Sequence, residues 1–127
     1  MSLSYERGIR GEEVAAEYLE GKGYRVLERR YRFERSEVDL VCFGPNEGPG
    51  PGGEIVFVEV KSRSSTRFGR PEDSVTAKKQ RSIVSAARAY LYETKLEGAA
   101  CRFDVVCVSF VEGGAHIEHI ENAFQAN

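Results

Sequence analysis

The stretch that most constrains the fold is residues 54–63, which read EIVFVEVKSR and are apolar on both faces until the last few positions. Side chains alternate along a strand, so the three valines face one side while Phe57, Glu59 and Lys61 face the other. A strand that is apolar on both faces is typical of a sheet covered on both sides. Glu59 and Lys61 therefore lie side by side at the end of a buried strand. Charge there is costly unless it is paired, bound to a metal or set in a cleft, and a simple ion pair is the alternative reading.

The length of the chain and its net charge limit the number of domains and the kind of partner that the protein can have. A chain of 127 residues is expected to form one domain over residues 1–127. The net charge is -2, so any basic surface has to be local. Three cysteines without a CxxC spacing are typical of a reducing compartment. No apolar run suits a signal peptide or a membrane span, and we expect a cytoplasmic protein with no membrane partner.

Hydrophobic periodicity predicts an α/β fold, a mixed sheet flanked by helices in the order α-β-β-β-α-β-β. Gly21 and Gly23 mark the end of the first helix, and Thr76 suits the N-cap of the second. Gly113 and Gly114 predict the turn of a final hairpin. The predicted elements span about residues 4–21, 24–32, 37–43, 54–63, 76–96, 102–111 and 115–120.

Acidic residues interrupt apolar surfaces on three of these elements. Glu12 projects from the middle of the first helix's apolar stripe, where small neighbours such as Gly11 would let the helix approach the sheet closely. Asp39 interrupts the second strand, and it converges with Glu59 if the second and third strands pair about 4.8 Å apart. Glu12 could instead extend to the helix edge. Glu37 shares a face with Asp39 but stands at the strand start, where we expect it to be exposed.

This set offers oxygen ligands without Cys or His, which suits a hard cation such as Mg²⁺ or Mn²⁺. Such a cation polarises a phosphate and lowers the pKa of a bound water. Lys61 is then placed to position that water or to stabilise charge growing in the transition state. Gln80, on the inward face near the start of the second helix, can orient a water or a carboxylate, or can hydrogen-bond to the sheet.

Basic residues are concentrated beside this set. Residues 61–81 contain seven basic and two acidic side chains, a local excess of +5. Such an excess is what a phosphate-tracking surface needs, although a solvated charged loop has the same composition. The candidate nucleic-acid contacts are Arg63, Arg67, Arg70, Lys78, Lys79 and Arg81.

Polar residues also occur near the last two strands. His116 and His119 form a weak metal signal, and we expect both at the surface. Asp104 interrupts the apolar fourth strand, where Arg102, two residues earlier, is an adequate partner. These residues are therefore assigned no chemistry.

The Asp39 and Glu59-Val60-Lys61 pattern resembles the Asp and Glu-x-Lys signature of the PD-(D/E)XK nuclease superfamily, and the element order is similar to that superfamily's core. More narrowly, the chain resembles the YraN family of bacterial proteins over nearly its whole length. One departure is Ser36, where that family usually has glycine. The matching stretches are Gly8-x-x-Gly11-Glu12-x-x-Ala15, residues 37–40, 57–63 and 74–76, Lys79-Gln80, and residues 102–106 and 122–124.

The resemblance implies a restriction-endonuclease-like fold close to that of archaeal Holliday-junction resolvases. It implies a metal-dependent endonuclease acting on DNA, with branched or damaged DNA as candidate substrates, RNA not excluded and a homodimer as a candidate assembly. Carried over by residue, it implies Glu12, Asp39 and Glu59 as metal ligands, Lys61 as the catalytic lysine and Gln80 as a supporting polar residue. A non-catalytic nucleic-acid-binding module, or an interaction protein whose acids pair with arginines, are the alternatives.

Overall fold

The structure, a computed structural model, describes residues 3–45, 52–64 and 75–126, with the side chains of residues 3–5 left aside. The order is α-β-β-β-α-β-β, so the predicted fold class is confirmed. Five strands form one sheet in the order β1-β2-β3-β4-β5. The elements are α1 (Leu3–Gly21), β1 (Arg25–Phe33), β2 (Ser36–Pro45), β3 (Gly53–Arg63), α2 (Ala77–Glu93), β4 (Cys101–Val111) and β5 (Gly114–Phe124).

The sheet is mixed because its two halves are joined by a crossover. β1, β2 and β3 pair antiparallel, as do β4 and β5, while β3 and β4 pair parallel. A parallel pair cannot be joined by a hairpin, and α2 lies in the connection between β3 and β4. β3 is therefore the central strand, as its two apolar faces predict.

The helices cover opposite faces of the sheet, each above its own apolar cluster. Alternate residues of β3 supply both, since Val56 and Val58 lie under α1 while Ile55 and Phe57 lie under α2. No helix in the described parts of the chain is long and apolar enough to cross a membrane. The α1 cluster also contains Ala15, Ala16, Leu19, Leu40, Cys42, Val106 and Val108. The α2 cluster also contains Val38, Ile83, Ala87, Tyr90, Phe103, Val105 and Cys107.

Helix α1 approaches the sheet most closely at Gly11. A Cβ atom built there would lie 1.8 Å from the Ser62 Oγ, so no side chain fits without a shift. The close approach predicted from the small residues of α1 is thus found at the end of β3. It brings Glu12, the next residue, to the same end of the sheet.

The ends of α2 and β5 differ most from the sequence prediction. Thr76 caps α2 as predicted, its hydroxyl accepting from the Lys79 N–H at 3.1 Å, but the helix ends at Glu93 rather than near residue 96. It stops because Lys95 has a left-handed backbone with φ 59°. β5 continues to Phe124, beyond the predicted end, because a bulge between the Val105 and Phe103 pairings lets the ladder resume.

Asp104 organises that bulge. Its buried carboxylate accepts hydrogen bonds from the Asn122 N–H at 2.9 Å, from Arg102 Nε at 3.0 Å and from His119 Nε2 at 2.7 Å. The expected surface position of His119 is wrong, since its side chain is only 2% exposed. Tyr18 packs edge-on against the His119 ring. The alternating polar pattern of β5 conceals this burial, because it does not show which face receives the end of α1.

The Asp104 network predicts a pH-dependent contribution to stability. Burial alone raises the pKa of Asp104, but the hydrogen bonds from His119 and Arg102 outweigh it and hold that pKa below its usual value. The stabilisation is therefore present above the ordinary aspartate pKa and is lost as the pH falls through the lowered one. We expect Asp104→Asn to lower the free energy of unfolding by about 3 kcal/mol at neutral pH. The variant removes the buried carboxylate that Arg102 and His119 share, and Arg102 keeps only its pairs with Glu54 and Glu121.

The measurement is urea unfolding followed by circular dichroism at neutral and strongly acidic pH. The difference between the wild type and Asp104→Asn should shrink at the acidic pH. Glu118→Gln, which changes an exposed acid of β5, is the matched control and should unfold with the wild type. Equal unfolding midpoints for Asp104→Asn and the wild type at neutral pH would contradict this account.

Candidate functional site

The candidate site lies where the pairing of β2 with β3 stops. The ladder ends at the Leu40–Val58 pair, and beyond it the Asp39 carboxylate accepts the Val60 N–H at 2.8 Å. Opposite Asp39 in β1, Arg30 has a left-handed backbone with φ 52°. A side chain thus replaces the main-chain acceptor at this point of the sheet. Asp39 is fixed by that bond between β2 and β3.

Three carboxylates converge at this point. One oxygen from each of Glu12, Glu37 and Asp39 lies within 4.8 Å of the others, and all three residues are half-buried. Glu12 comes from α1, while Glu37 and Asp39 come from β2. The expectation that Glu37 is simply exposed is wrong. The period of two already placed Glu37 on the face of Asp39, and that was the available signal.

Glu59 meets Asp39 from β3. The two carboxyl groups are hydrogen-bonded to each other, and the Glu59 side chain is only 4% exposed. Two ammonium groups lie beside it, with Lys61 Nζ at 3.6 Å and Lys79 Nζ at 3.8 Å from Glu59 Oε2. Asp39 therefore links the three-carboxylate group to Glu59, and Glu59 is in turn paired with the two lysines.

Crowding of the acids changes their protonation. Burial, followed by the hydrogen bond to Glu59 and its negative charge, raises the pKa of Asp39 to about 8. Burial also raises the pKa of Glu12, although a hydrogen bond from Arg30 opposes the change. At neutral pH the Asp39 and Glu59 carboxyl groups accordingly hold a proton between them.

Arginines of β1 neutralise the outer acids. Arg30 Nε donates to Glu12 at 2.7 Å, and Arg32 Nη2 donates to Glu37 at 2.8 Å. Both arginine side chains are exposed, so neither pair is sealed from water. The sequence of β1 indicates only a charged edge strand. In the structure, this strand supplies counter-ions to the acid group.

The other predicted site residues are dispersed. Gln80 donates to the Val75 carbonyl at 3.1 Å, at the start of α2. Lys79, predicted to contact nucleic acid, contacts Glu59. Lys78 and Arg81 are exposed on α2, and Arg63 at the end of β3 is half-buried. Arg67 and Arg70 lie outside the described residues.

The donor set fits a hard divalent cation. All the candidate ligands are carboxylate oxygens, which Mg²⁺ and Mn²⁺ prefer, and Glu12, Glu37 and Asp39 are close enough to share one ion. Burial is the largest cause of the raised pKa of Asp39, and the adjacent Glu59 adds to it, since negative groups held together favour a proton or a metal between them.

The raised pKa of Asp39 predicts that a variant without this carboxyl group is more stable than the wild type at high pH. Because its pKa in the folded state is about 8, the wild type should lose stability as the pH rises from about 4 to 8, the range over which the buried group ionises. In chelator, Asp39→Asn should avoid this loss and melt above the wild type at pH 9, with little difference at pH 4. Thermal melts across this range test it, with Glu118→Gln, at an exposed acid of β5, as the matched control. A constant difference at every pH would contradict the assignment.

Comparisons with known proteins come from sequence and from structure. Residues 11–108 match the family model described as "Uncharacterised protein family UPF0102". A UPF0102 protein of Pelobacter propionicus is 44% identical over 119 residues, covering 93% of this chain and 81% of the relative. One of Syntrophomonas wolfei is 44% identical over 122 residues, covering 96% and 100%.

A third relative and one solved structure complete the comparison. A UPF0102 protein of Persephonella marina is 39% identical over 122 residues, covering 96% of each chain. The structure of Pyrococcus furiosus SfsA in complex with Ca²⁺ aligns with a TM-score of 0.38 and 17% identity, over 93% of this chain and 63% of that one. On the family match and these identities, the chain belongs to the UPF0102 family, also called YraN.

Proposed function

We propose that this protein is a metal-dependent endonuclease that hydrolyses phosphodiester bonds of DNA at its acid group. The observation that carries the proposal is the contact of Asp39 with Glu59 on one side and its convergence with Glu12 and Glu37 on the other. A fold does not retain such a cluster of partly buried carboxylates for stability, since each must be desolvated next to like charge. Cation binding at a reaction centre accounts for it.

Glu12, Glu37 and Asp39 would hold Mg²⁺ or Mn²⁺, with Glu59 beside them. When bound, the cation supplies polarisation of a phosphate oxygen and a lowered pKa for a bound water. The chain's own contribution is to fix these carboxylates from three elements. The Asp39 bond to the Val60 N–H and the contact of α1 at Gly11 set their positions.

Lys61 and Lys79 supply positive charge at the reaction centre. Glu59 holds both ammonium groups within 4 Å, so neither needs to reorganise when negative charge grows on the phosphate. Both lysines are partly exposed, which leaves their remaining donors open toward a substrate. Lys78 and Arg81, exposed at the start of α2, extend the positive surface away from the acids.

One observation favours a second candidate, a nucleic-acid-binding module without catalysis. Arg30 and Arg32 already pair with Glu12 and Glu37, at 2.7 and 2.8 Å. Paired in this way, these two acids need no metal for charge balance. This candidate predicts salt-sensitive binding of nucleic acid without turnover or uptake of divalent cations.

Cleavage assays test the first candidate. Labelled linear, single-stranded, flap and four-way-junction DNA would be incubated with Mg²⁺ or Mn²⁺ and either wild type, Lys61→Gln or Glu59→Gln. We expect cleavage by the wild type and a fall of about 100-fold or more in each variant. Lys61→Gln removes a positive charge that acts on the phosphate, and Glu59→Gln removes the carboxylate that holds Lys61 and Lys79 in place. Lys95→Gln, which changes an exposed lysine beyond α2, is the matched control and should cleave as the wild type does.

Equal cleavage by Lys61→Gln and the wild type would identify a contaminating nuclease or a wrong assignment. Titration calorimetry with Mn²⁺ separates the second candidate. Binding in the wild type that is lost in Asp39→Asn supports a metal site, whereas no heat from the wild type, together with salt-sensitive DNA binding, favours the non-catalytic module.

A further inference from the structure

The outer face of α2 carries a continuous line of exposed side chains. Arg81, Ser85, Arg88 and Tyr92 are spaced by three or four residues and therefore share one stripe, opposite the residues that α2 buries on the sheet. All four are exposed. We refer to these four residues as the outer stripe.

The outer stripe is positively charged. Between residues 77 and 93, α2 carries four basic side chains and one acid, in a chain of net charge -2. The acid, Glu93, accepts a hydrogen bond from the Tyr31 hydroxyl at 2.7 Å on the β1 side. Within the described residues, Arg81 and Arg88 have no carboxylate at ion-pair distance. Their charge is available to an anionic partner.

Tyr92 stands at the far end of the stripe. Its side chain is 70% exposed, although Tyr90 two residues earlier is packed in the core against Phe57 and Tyr31. Tyr92 therefore contributes little to the fold. An exposed aromatic ring beyond two exposed arginines is the arrangement on which bases of a single strand stack.

The stripe leads away from the candidate active site. Gln80, which follows Lys79 of the acid site, lines a groove of about 950 Å³ together with Arg81, Arg88 and Tyr92. From Lys79 to Tyr92 the helix rises about 20 Å at 1.5 Å per residue. A strand of several nucleotides can follow that length.

We propose that the outer stripe is a track for a single strand of nucleic acid, which leaves the acid site along α2 and stacks a base on Tyr92. The proposal rests on the proposed function, because it takes the acid site as the place where the phosphodiester is held. An unpaired strand fits better than a duplex, since the stripe is one side chain wide and a paired base has no free face for Tyr92. The preferred substrates then carry an unpaired segment beside the cleavage point.

Binding without metal tests the track separately from cleavage. Fluorescence anisotropy in chelator would compare labelled oligothymidylate and oligouridylate of about 16 nucleotides with a blunt duplex. We expect Tyr92→Ala to weaken single-strand binding about 5- to 100-fold, the equivalent of one lost stacking contact, and Tyr92→Phe to restore it. Duplex affinity should stay unchanged. The ratio of the two single-strand affinities shows whether DNA or RNA is preferred.

Arg88→Ala provides a second, electrostatic readout. It should weaken single-strand binding and lower the slope of log affinity against log salt by about 0.7 for one lost phosphate contact. Arg25→Ala, an exposed arginine of β1 at the opposite end of the sheet, is the matched control and should leave both quantities unchanged.

The outcomes separate this proposal from the proposed function. Wild-type affinity for single strands in both Tyr92→Ala and Arg88→Ala overturns the track, even if Lys61→Gln abolishes cleavage. A loss in Tyr92→Ala that is equal for duplex and single strand, or no single-strand binding by the wild type, also overturns it. A selective loss with no cleavage by any sample supports the track and contradicts the endonuclease.

Discussion

The hydrogen bond from the Val60 N–H to the Asp39 carboxylate is the interaction on which the candidate site depends. It replaces a rung of the ladder at the point where β2 and β3 cease to pair, so an acid is held between two strands of a buried sheet. Once Asp39 is fixed there, Glu59 on the next strand is necessarily its neighbour. Glu12 and Glu37 then complete the group of acids, and Arg30 and Arg32 pair with these two at its outer side.

Asp104 is a buried acid of the same sheet whose negative charge is stabilised by surrounding hydrogen-bond donors. It too accepts a main-chain N–H where strand pairing is irregular, but Arg102 and His119 also donate to it, and its pKa is lowered. The pKa of Asp39 is raised instead, first by burial and then by the neighbouring Glu59 carboxyl group. Both aspartates thus accept a main-chain N–H at an irregular point of the sheet. Hydrogen-bond donors surround Asp104, whereas Asp39 lies beside lysines and further acids.

The features that could be predicted from the sequence are those that depend on the alternation of side chains along a strand and on the order of the strands. The apolar faces of β3 placed it at the centre, and alternation together with pairing of β2 and β3 predicted the approach of Asp39 to Glu59. The close approach of α1 at its small residues was also predicted, but two contacts that depend on the exact placement of the helices were missed. The contact of Lys79 with Glu59 depends on the rotation of α2, and the burial of His119 depends on where the end of α1 lies. Neither quantity is encoded in local spacing.

The contact between Gly11 and Ser62 has a consequence for how such a chain can change over evolution. A larger residue at position 11 would meet the Ser62 side chain, so it requires a smaller residue or a shift at position 62. Glu12 follows Gly11, and Ser62 directly follows Lys61, so a shift of the backbone there displaces groups of the candidate site. A larger residue at position 11 should therefore be inherited together with a change at position 62.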